Sequence, residues 1–185
     1  MKRRSFLNSG ALGILGISSF NFNNSPYKNL DHVKISLTPW SIIRSGYESN
    51  DPLDIKLLEF PGVAKSLGFD YIDLEMGHFP TKLKTSYINK LNKSIDSARV
   101  KSAVMLTGGS GDIGDKDLSK RKKALEIYKY WIDVAADLNC TAVRNVCGEY
   151  ITISHDEKLK YAIEGVGELA NYAKSKGIIL LIENH

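Results

Sequence analysis

A parallel α/β fold is what this sequence predicts, and three observations predict it. The chain repeats one unit, a helical segment, a stop residue and a short apolar strand. The run Ile178-Ile179-Leu180-Leu181-Ile182 after Gly177 is wholly apolar and rich in β-branched residues, which fits a strand buried on both faces of a helix-covered sheet. Helix and strand signals alternate along the body, and such alternation implies right-handed crossovers between parallel strands.

An opening strand near Lys34 to Thr38 comes first. Asp51 before Pro52 places an N-cap ahead of a proline at the first helical position, and Asp54 in the first turn complements the dipole. Ala64-Lys65-Ser66-Leu67-Gly68-Phe69-Asp70 then leads into the strand Tyr71-Ile72-Asp73-Leu74, and Ser97-Ala98-Arg99-Val100-Lys101 leads into Ser102-Ala103-Val104-Met105-Leu106. A helix opening near Asp117 to Ser119 ends at Asp137-Leu138-Asn139-Cys140 and feeds Thr141-Ala142-Val143-Arg144-Asn145-Val146. Ser154-His155-Asp156-Glu157 matches a capping box, and Leu159, Ala162, Ile163, Val166, Leu169, Ala170 and Ala173 form one apolar stripe behind it. Gly68, Asn139 and Gly177 stand where helices end in the left-handed conformation, which Gly and Asn adopt at little cost.

Two parallel architectures fit this array, the open doubly wound sheet and the closed (β/α)8 or TIM barrel. Strand starts lie roughly 36 residues apart, which over eight units gives a body of about 290 residues, within the barrel range. An open sheet would close with a helix after its last strand, so the barrel is preferred. On this expectation about five βα strands are present and the C-terminal part is missing, because a terminal strand would expose an unpaired edge. Residues 33–185 would then be the N-terminal portion of the barrel.

Hydrophobic residues make up 43% and charged residues 25% of the chain, ordinary values for a soluble globular protein. Of the formal charge of +4, Lys2, Arg3 and Arg4 supply three, leaving roughly +1 on the body, too little for a nucleic-acid footprint. Those three residues precede Ser5-Phe6-Leu7-Asn8 and the short apolar run Ala11 to Phe20. Residues 1–30 therefore resemble a twin-arginine export signal, too short to span a membrane, and imply a periplasmic protein with no membrane partner after signal removal. Cys140 and Cys147 lie an odd separation apart along a strand and its exit, so they point to opposite faces and are expected to stay unpaired, as small buried hydrophobes.

Gly109-Ser110-Gly111-Asp112-Ile113-Gly114 is a formal G-x-G-x-x-G after a strand, but the next helix opens several residues later and the next strand ends in Arg144-Asn145-Val146 rather than in an acid. A flexible loop is the better reading. Glu183 carries more. A carboxylate at the end of an apolar strand costs several kcal/mol to bury unless a cation or metal meets it; otherwise it stays solvated or salt-bridged.

The body from about Val33 to His185 resembles the sugar phosphate isomerase/epimerase group, the xylose isomerase-like TIM barrels. Ser36-Leu37-Thr38-Pro39-Trp40-Ser41, the Ala64 to Glu75 segment, Ala142-Val143-Arg144 and above all Ile182-Glu183-Asn184-His185 carry the likeness. The resemblance implies a metal-binding Glu at the end of the fifth or sixth strand, here Glu183 as both catalytic residue and ligand, with a divalent Mn, Mg, Co or Zn ion. The remaining ligands would lie on later strands. It further implies a small sugar, sugar phosphate or polyol substrate and α-proton abstraction. Trp40, Glu75, His78, Arg144, Asn145, Asn184 and His185 stand at strand ends and are the candidates for substrate binding. Other readings stay open: Trp40 as barrel-mouth packing, Arg144 as the ion-pair partner of Glu75, His78 as an exposed loop residue. His155, in a helix's first turn, and His32, ahead of the barrel, are excluded. A dehydratase or lyase on oxidised sugars, a type IV endonuclease and a non-catalytic sugar-binding barrel are the alternatives; the third strand exits into Thr107-Gly108-Gly109 without a histidine, and no nucleic-acid partner is expected. Self-association into a homo-oligomer is left open.

The leader reading is tested by fusing residues 1–30 to a reporter that matures only in the cytoplasm. Changing Arg3→Lys and Arg4→Lys together should abolish its periplasmic signal, and unchanged export would show another route.

Overall fold

The computed structural model describes residues 33–43, 55–147 and 154–184. The leader, the Asp51-Pro52 cap with Asp54, His32 and His185 lie outside them, as do the side chains of His155 and Asn184. Contacts separate Met1–Lys34 from Ile35–His185, and every element below belongs to the second unit.

Five parallel strands form one sheet in the order β1-β2-β3-β4-β5: β1 (Ser36–Leu37), β2 (Tyr71–Glu75), β3 (Lys101–Thr107), β4 (Ala142–Cys147) and β5 (Ile179–Asn184). A doubly wound sheet reverses its strand order at a switch point. No reversal occurs here, so the sheet curves onward in one direction as the wall of a barrel does. Helices α1 (Phe60–Ser66), α2 (Thr85–Ala98), α3 (Leu118–Asp137) and α4 (His155–Ser175) connect the strands, with short 3-10 helices at Pro39–Ser41 and Met76–His78. The strand between α4 and the end of the described chain reaches Asn184, so Glu183 is the penultimate residue of β5 rather than a residue beyond it.

The helix signals hold at the caps. Asp117 accepts from the N–H groups of Ser119 and Lys120 at 2.8 and 3.3 Å, and Ser154 caps α4 through Glu157 N–H at 3.4 Å while its hydroxyl donates to the Glu157 carboxylate at 2.8 Å. Gly68, Asn139 and Gly177 have φ of 91°, 54° and 73° as expected, but α2 ends on Arg99 at φ 56°. Nothing in its side chain favours that conformation; it costs about 1 kcal/mol or more, offset by its N–H donating to Asp96 O at 3.0 Å.

The core lies between the sheet and its helices. Ile72, Leu74, Met105 and Val143 are all at 0% exposure, with Phe60, Leu91, Tyr128, Ile132 and Leu169 also buried in that layer. Each such side chain contributes about 1.5–3 kcal/mol in removed apolar surface. Helices α3 and α4 are further fastened by Tyr172, whose hydroxyl donates to Asp133 at 2.9 Å, and by Lys129 bridging Glu126 and Glu168 at 3.1 and 2.8 Å.

Two expectations about burial fail. In β5, Ile178 beside its start is buried, yet Ile179, Leu181 and Ile182 are 56%, 42% and 45% exposed. That strand has one hydrogen-bonded neighbour, β4, so half its surface meets no described element. The α4 stripe divides in the same way: Leu169 and Ala173 are fully buried, whereas Leu159 and Ile163 stay exposed.

The glycine-containing segment after β3 is pinned and not a flexible loop. Ile113 is fully buried and Asp112 nearly so; Asp112 Oδ1 accepts from Gly114 N–H at 2.7 Å, and the Tyr128 hydroxyl donates to Gly111 O at 2.7 Å. Its backbone lies directly against α4 at Gly165, where a Cβ would come 1.7 Å from Ile113 O. No phosphate cradle results, because the first N–H groups of α3 are taken by Asp117.

Gly165→Ala should therefore destabilise the fold by about 3 kcal/mol, since the clash is with backbone that cannot rotate away. Denaturant unfolding checks this, with Gly167→Ala, which meets nothing within 4 Å, as the control expected to be neutral or stabilising.

Candidate functional site

Alternation along each strand assigns its side chains to the helix layer or to the concave inner face. In β2, Ile72 and Leu74 pack into the helix layer, which puts Tyr71, Asp73 and Glu75 on the inner face. Register carries that face across the sheet: Glu75 pairs with Leu106, Leu106 with Arg144 and Arg144 with Leu181. Two residues past Leu181, Glu183 lies on the same face.

Arg144 and Glu183 meet there. Nε of Arg144 stands 2.8 Å from Glu183 Oε2, with side-chain exposures of 25% and 44%. Glu183 sits opposite Val146, two residues past Arg144, so the pair is diagonal across one ladder. Arg144 is thus the partner of Glu183 and not, as the sequence left open, of Glu75.

Glu75 turns instead to His78. Its Oε2 accepts from Gly77 N–H at 3.0 Å and lies 2.8 Å from His78 Nδ1, out of line with the ring N–H direction. His78 is 1% exposed, which overturns its reading as an exposed loop residue, and its Nε2 meets no hydrogen-bond partner among the described residues. The Met76–His78 turn folds the ring back under Trp40, edge-on with centroids 4.8 Å apart. Trp40 itself, at the end of β1, is 61% exposed.

Asn145 stands apart from this group. It is fully buried on the opposite face of β4 from Arg144, and its Nδ2 donates to Thr107 Oγ1 at 3.2 Å while that hydroxyl donates to Arg144 O at 2.9 Å. Its role is to brace β3 against β4, which corrects its placement in the pocket wall. The backbone of Asn184 lies level with Cys147.

Asp73 is not among the sequence candidates, although it shares parity with Glu75 in a strand whose alternate residues, Ile72 and Leu74, are buried. Ser36 Oγ donates to Asp73 Oδ2 at 2.9 Å across β1 and β2. The β2–β3 register shifts between Ile72 and Leu74, so β3 carries one extra residue opposite Asp73. Burial holds the Asp73 carboxyl above its usual range, opposed by the Ser36 hydroxyl, the Val104 N–H and the charge of Arg144. Its Oδ1 is buried without a hydrogen-bond partner in good geometry.

These groups do not amount to a metal centre. Among the described residues no three His, Cys, Asp or Glu side chains gather around one point, and Glu183 offers a single carboxylate already paired with a guanidinium. No described helix is long and apolar enough to cross a membrane.

Residues 61–185 match the family model described as a xylose isomerase-like TIM barrel. No curated protein matches the sequence. Among solved structures, a D-psicose 3-epimerase determined in the presence of D-fructose superposes with a TM-score of 0.67 at 15% identity, covering 80% of this chain and 51% of that one. The D-psicose 3-epimerase of Clostridium cellulolyticum H10 with D-tagatose gives 0.66 at 17% identity over 80% and 50%. The IOLI protein with a bound zinc atom gives 0.64 at 19% identity over 82% and 51%. This chain spans about half the length of these structures.

Both cysteines are free, and burial pushes the Cys140 thiol up to about 12 and the Cys147 thiol up to about 11, the latter with help from the Asp112 charge and their 3.9 Å contact. At pH 8 about one Cys147 in a thousand would be thiolate, against about a quarter for a free cysteine. Iodoacetamide labelling of the native protein at pH 8, followed by mass spectrometry, should therefore be about a hundredfold slower at Cys147 than in the unfolded chain, and faster in Asp112→Asn.

Proposed function

Because the chain belongs to the xylose isomerase-like TIM barrel family, we propose that the whole protein is a sugar isomerase or epimerase that works by proton abstraction next to a carbonyl. The observation that carries the reading is Glu183, an acid at the carboxyl end of an apolar strand, on the inner face and within ion-pair distance of Arg144. The epimerase structures it resembles support the substrate class, a small sugar or polyol.

Glu183 is placed to act where charge changes during the reaction. Abstraction of an α-proton turns a carbonyl into an enediolate, whose growing negative oxygen needs a fixed positive partner. Arg144 is a permanent cation on the described inner face, and strands hold its backbone. Trp40 offers an exposed apolar face on which a sugar ring stacks, with the half-buried Glu75 carboxylate on the inner face of the neighbouring strand. A divalent ion of the Mn, Mg, Co or Zn class belongs to the proposal, with Glu183 as one ligand; when bound it would polarise the carbonyl and hydroxyl oxygens of the sugar. The zinc atom of the IOLI structure supports that part. Export by the twin-arginine route, from residues 1–30, completes the reading.

Glu183→Gln in the full-length protein removes an anionic ligand and keeps the shape. Calorimetric titration with Mn²⁺ should show binding sharply weakened, and turnover of a ketose should fall by about a hundredfold, equivalent to ~3 kcal/mol in the barrier. Equal Mn²⁺ binding by wild type and variant would make Glu183 a structural carboxylate and remove the support for a metal-dependent reaction.

A further inference from the structure

For stability alone, His78 is a costly residue. It is 1% exposed, and neither ring nitrogen has a well-aligned hydrogen-bond partner among the described residues. An apolar side chain of the same shape replaces such a buried polar group at little cost. A phenylalanine would fill the place and still meet Trp40 edge-on. What only the imidazole supplies is Nδ1, which stands 2.8 Å from Glu75 Oε2.

That contact holds Glu75 by one oxygen. Oε2 takes both Gly77 N–H at 3.0 Å and the approach of His78, while Oε1 has no hydrogen-bond partner among the described residues. The side chain is 13% exposed and lies on the inner face at the last residue of β2. Trp40 touches the same imidazole, with centroids 4.8 Å apart, so one buried ring sets both the exposed indole and the carboxylate in place. An aromatic face beside a fixed anionic acceptor suits a polyhydroxy compound: the face takes C–H groups and the acceptor takes one O–H.

We propose that Glu75 is a specificity-determining residue that accepts one hydroxyl of the sugar through Oε1, and that His78 is its positioning residue, fixing Oε2 without touching the substrate. This rests on the sugar reading of the site. With Oε2 held twice, the carboxylate does not turn freely, and its remaining acceptor meets a hydroxyl in one position only.

Calorimetric titration of the full-length protein with D-fructose, D-xylulose and D-sorbitol, then with the monodeoxy analogues of whichever binds, tests this. Wild type should bind one deoxy analogue roughly tenfold to a hundredfold more weakly than its parent, the loss of a charge-assisted hydrogen bond. Glu75→Met, which keeps the length and removes the acceptor, should erase that preference. His78→Phe should reduce it by about threefold or more with no fall in Tm, and should change nothing further when combined with Glu75→Met. A purely structural His78 would instead lower Tm and leave the preference intact. Gly77→Ala is an independent variant that should also reduce the preference, since its Cβ would come 3.0 Å from Glu75 Oε2 and push the carboxylate aside. If wild type binds a sugar but shows no such preference, or Glu75→Met keeps it, the inference is wrong and the sugar reading stands. If Glu75→Met erases the preference while His78→Phe and Gly77→Ala both keep it, the positioning role of His78 is overturned. If wild type binds none of these compounds, the sugar reading fails and this inference falls with it.

Discussion

In a parallel sheet covered by helices on one side, each residue's parity along its strand decides which environment it meets. A shift of one residue would exchange the helix layer for the inner face. Ile72, Leu74, Met105 and Val143 lock the parity here, because leaving four such side chains in water would cost several kcal/mol in total. Everything polar on the sheet depends on that lock. Asp73, Glu75, Arg144 and Glu183 reach one surface only because the apolar residues between them hold the opposite one.

That surface carries three acids and one arginine among its strand residues, and their arrangement limits the cost of bringing them together. Glu183 has Arg144, Glu75 has Gly77 N–H with His78 beside it, and Asp73 has Ser36 with the bulge in β3 opposite. Asp73 is the least satisfied, with its carboxyl raised by burial and one oxygen unpaired. Unpaired buried polar atoms cost about 1–3 kcal/mol each. Groups held at such a cost mark where a surface is organised for something other than stability.

Most of the fold was legible because its signals are local. Gly68, Asn139 and Gly177 end helices for the same steric reason in sequence and in structure, and Ser154 with Glu157 needs only its own turn to cap α4. Arg99 was not legible, since its left-handed φ is imposed by the way α2 must hand over to β3 rather than by its side chain. The site was half legible. Strand ends pointed to Glu75, Arg144 and Glu183, but which acid the arginine takes depends on register, a property of two strands at once. Asn145 shares the parity of the buried Val143, so a strand-end position alone does not put it on the inner face, and the burial of His78 follows from a 3-10 turn that no periodicity announces. Exposure along β5 was not legible either, since it follows from that strand having β4 as its one described hydrogen-bonded neighbour.

The strand order has a kinetic meaning as well. Since each strand pairs with the next in sequence, the inter-element hydrogen bonds named for the sheet join residues close to one unit apart, such as Ser36 with Asp73 and Thr107 with Arg144. Loop-closure entropy for such contacts is modest, and it is spent in equal small instalments instead of one large one. Among the described strands, no pairing joins elements more than one unit apart. Each βα unit can dock on its predecessor as soon as it leaves the ribosome, and an error in one unit is felt first by the two beside it.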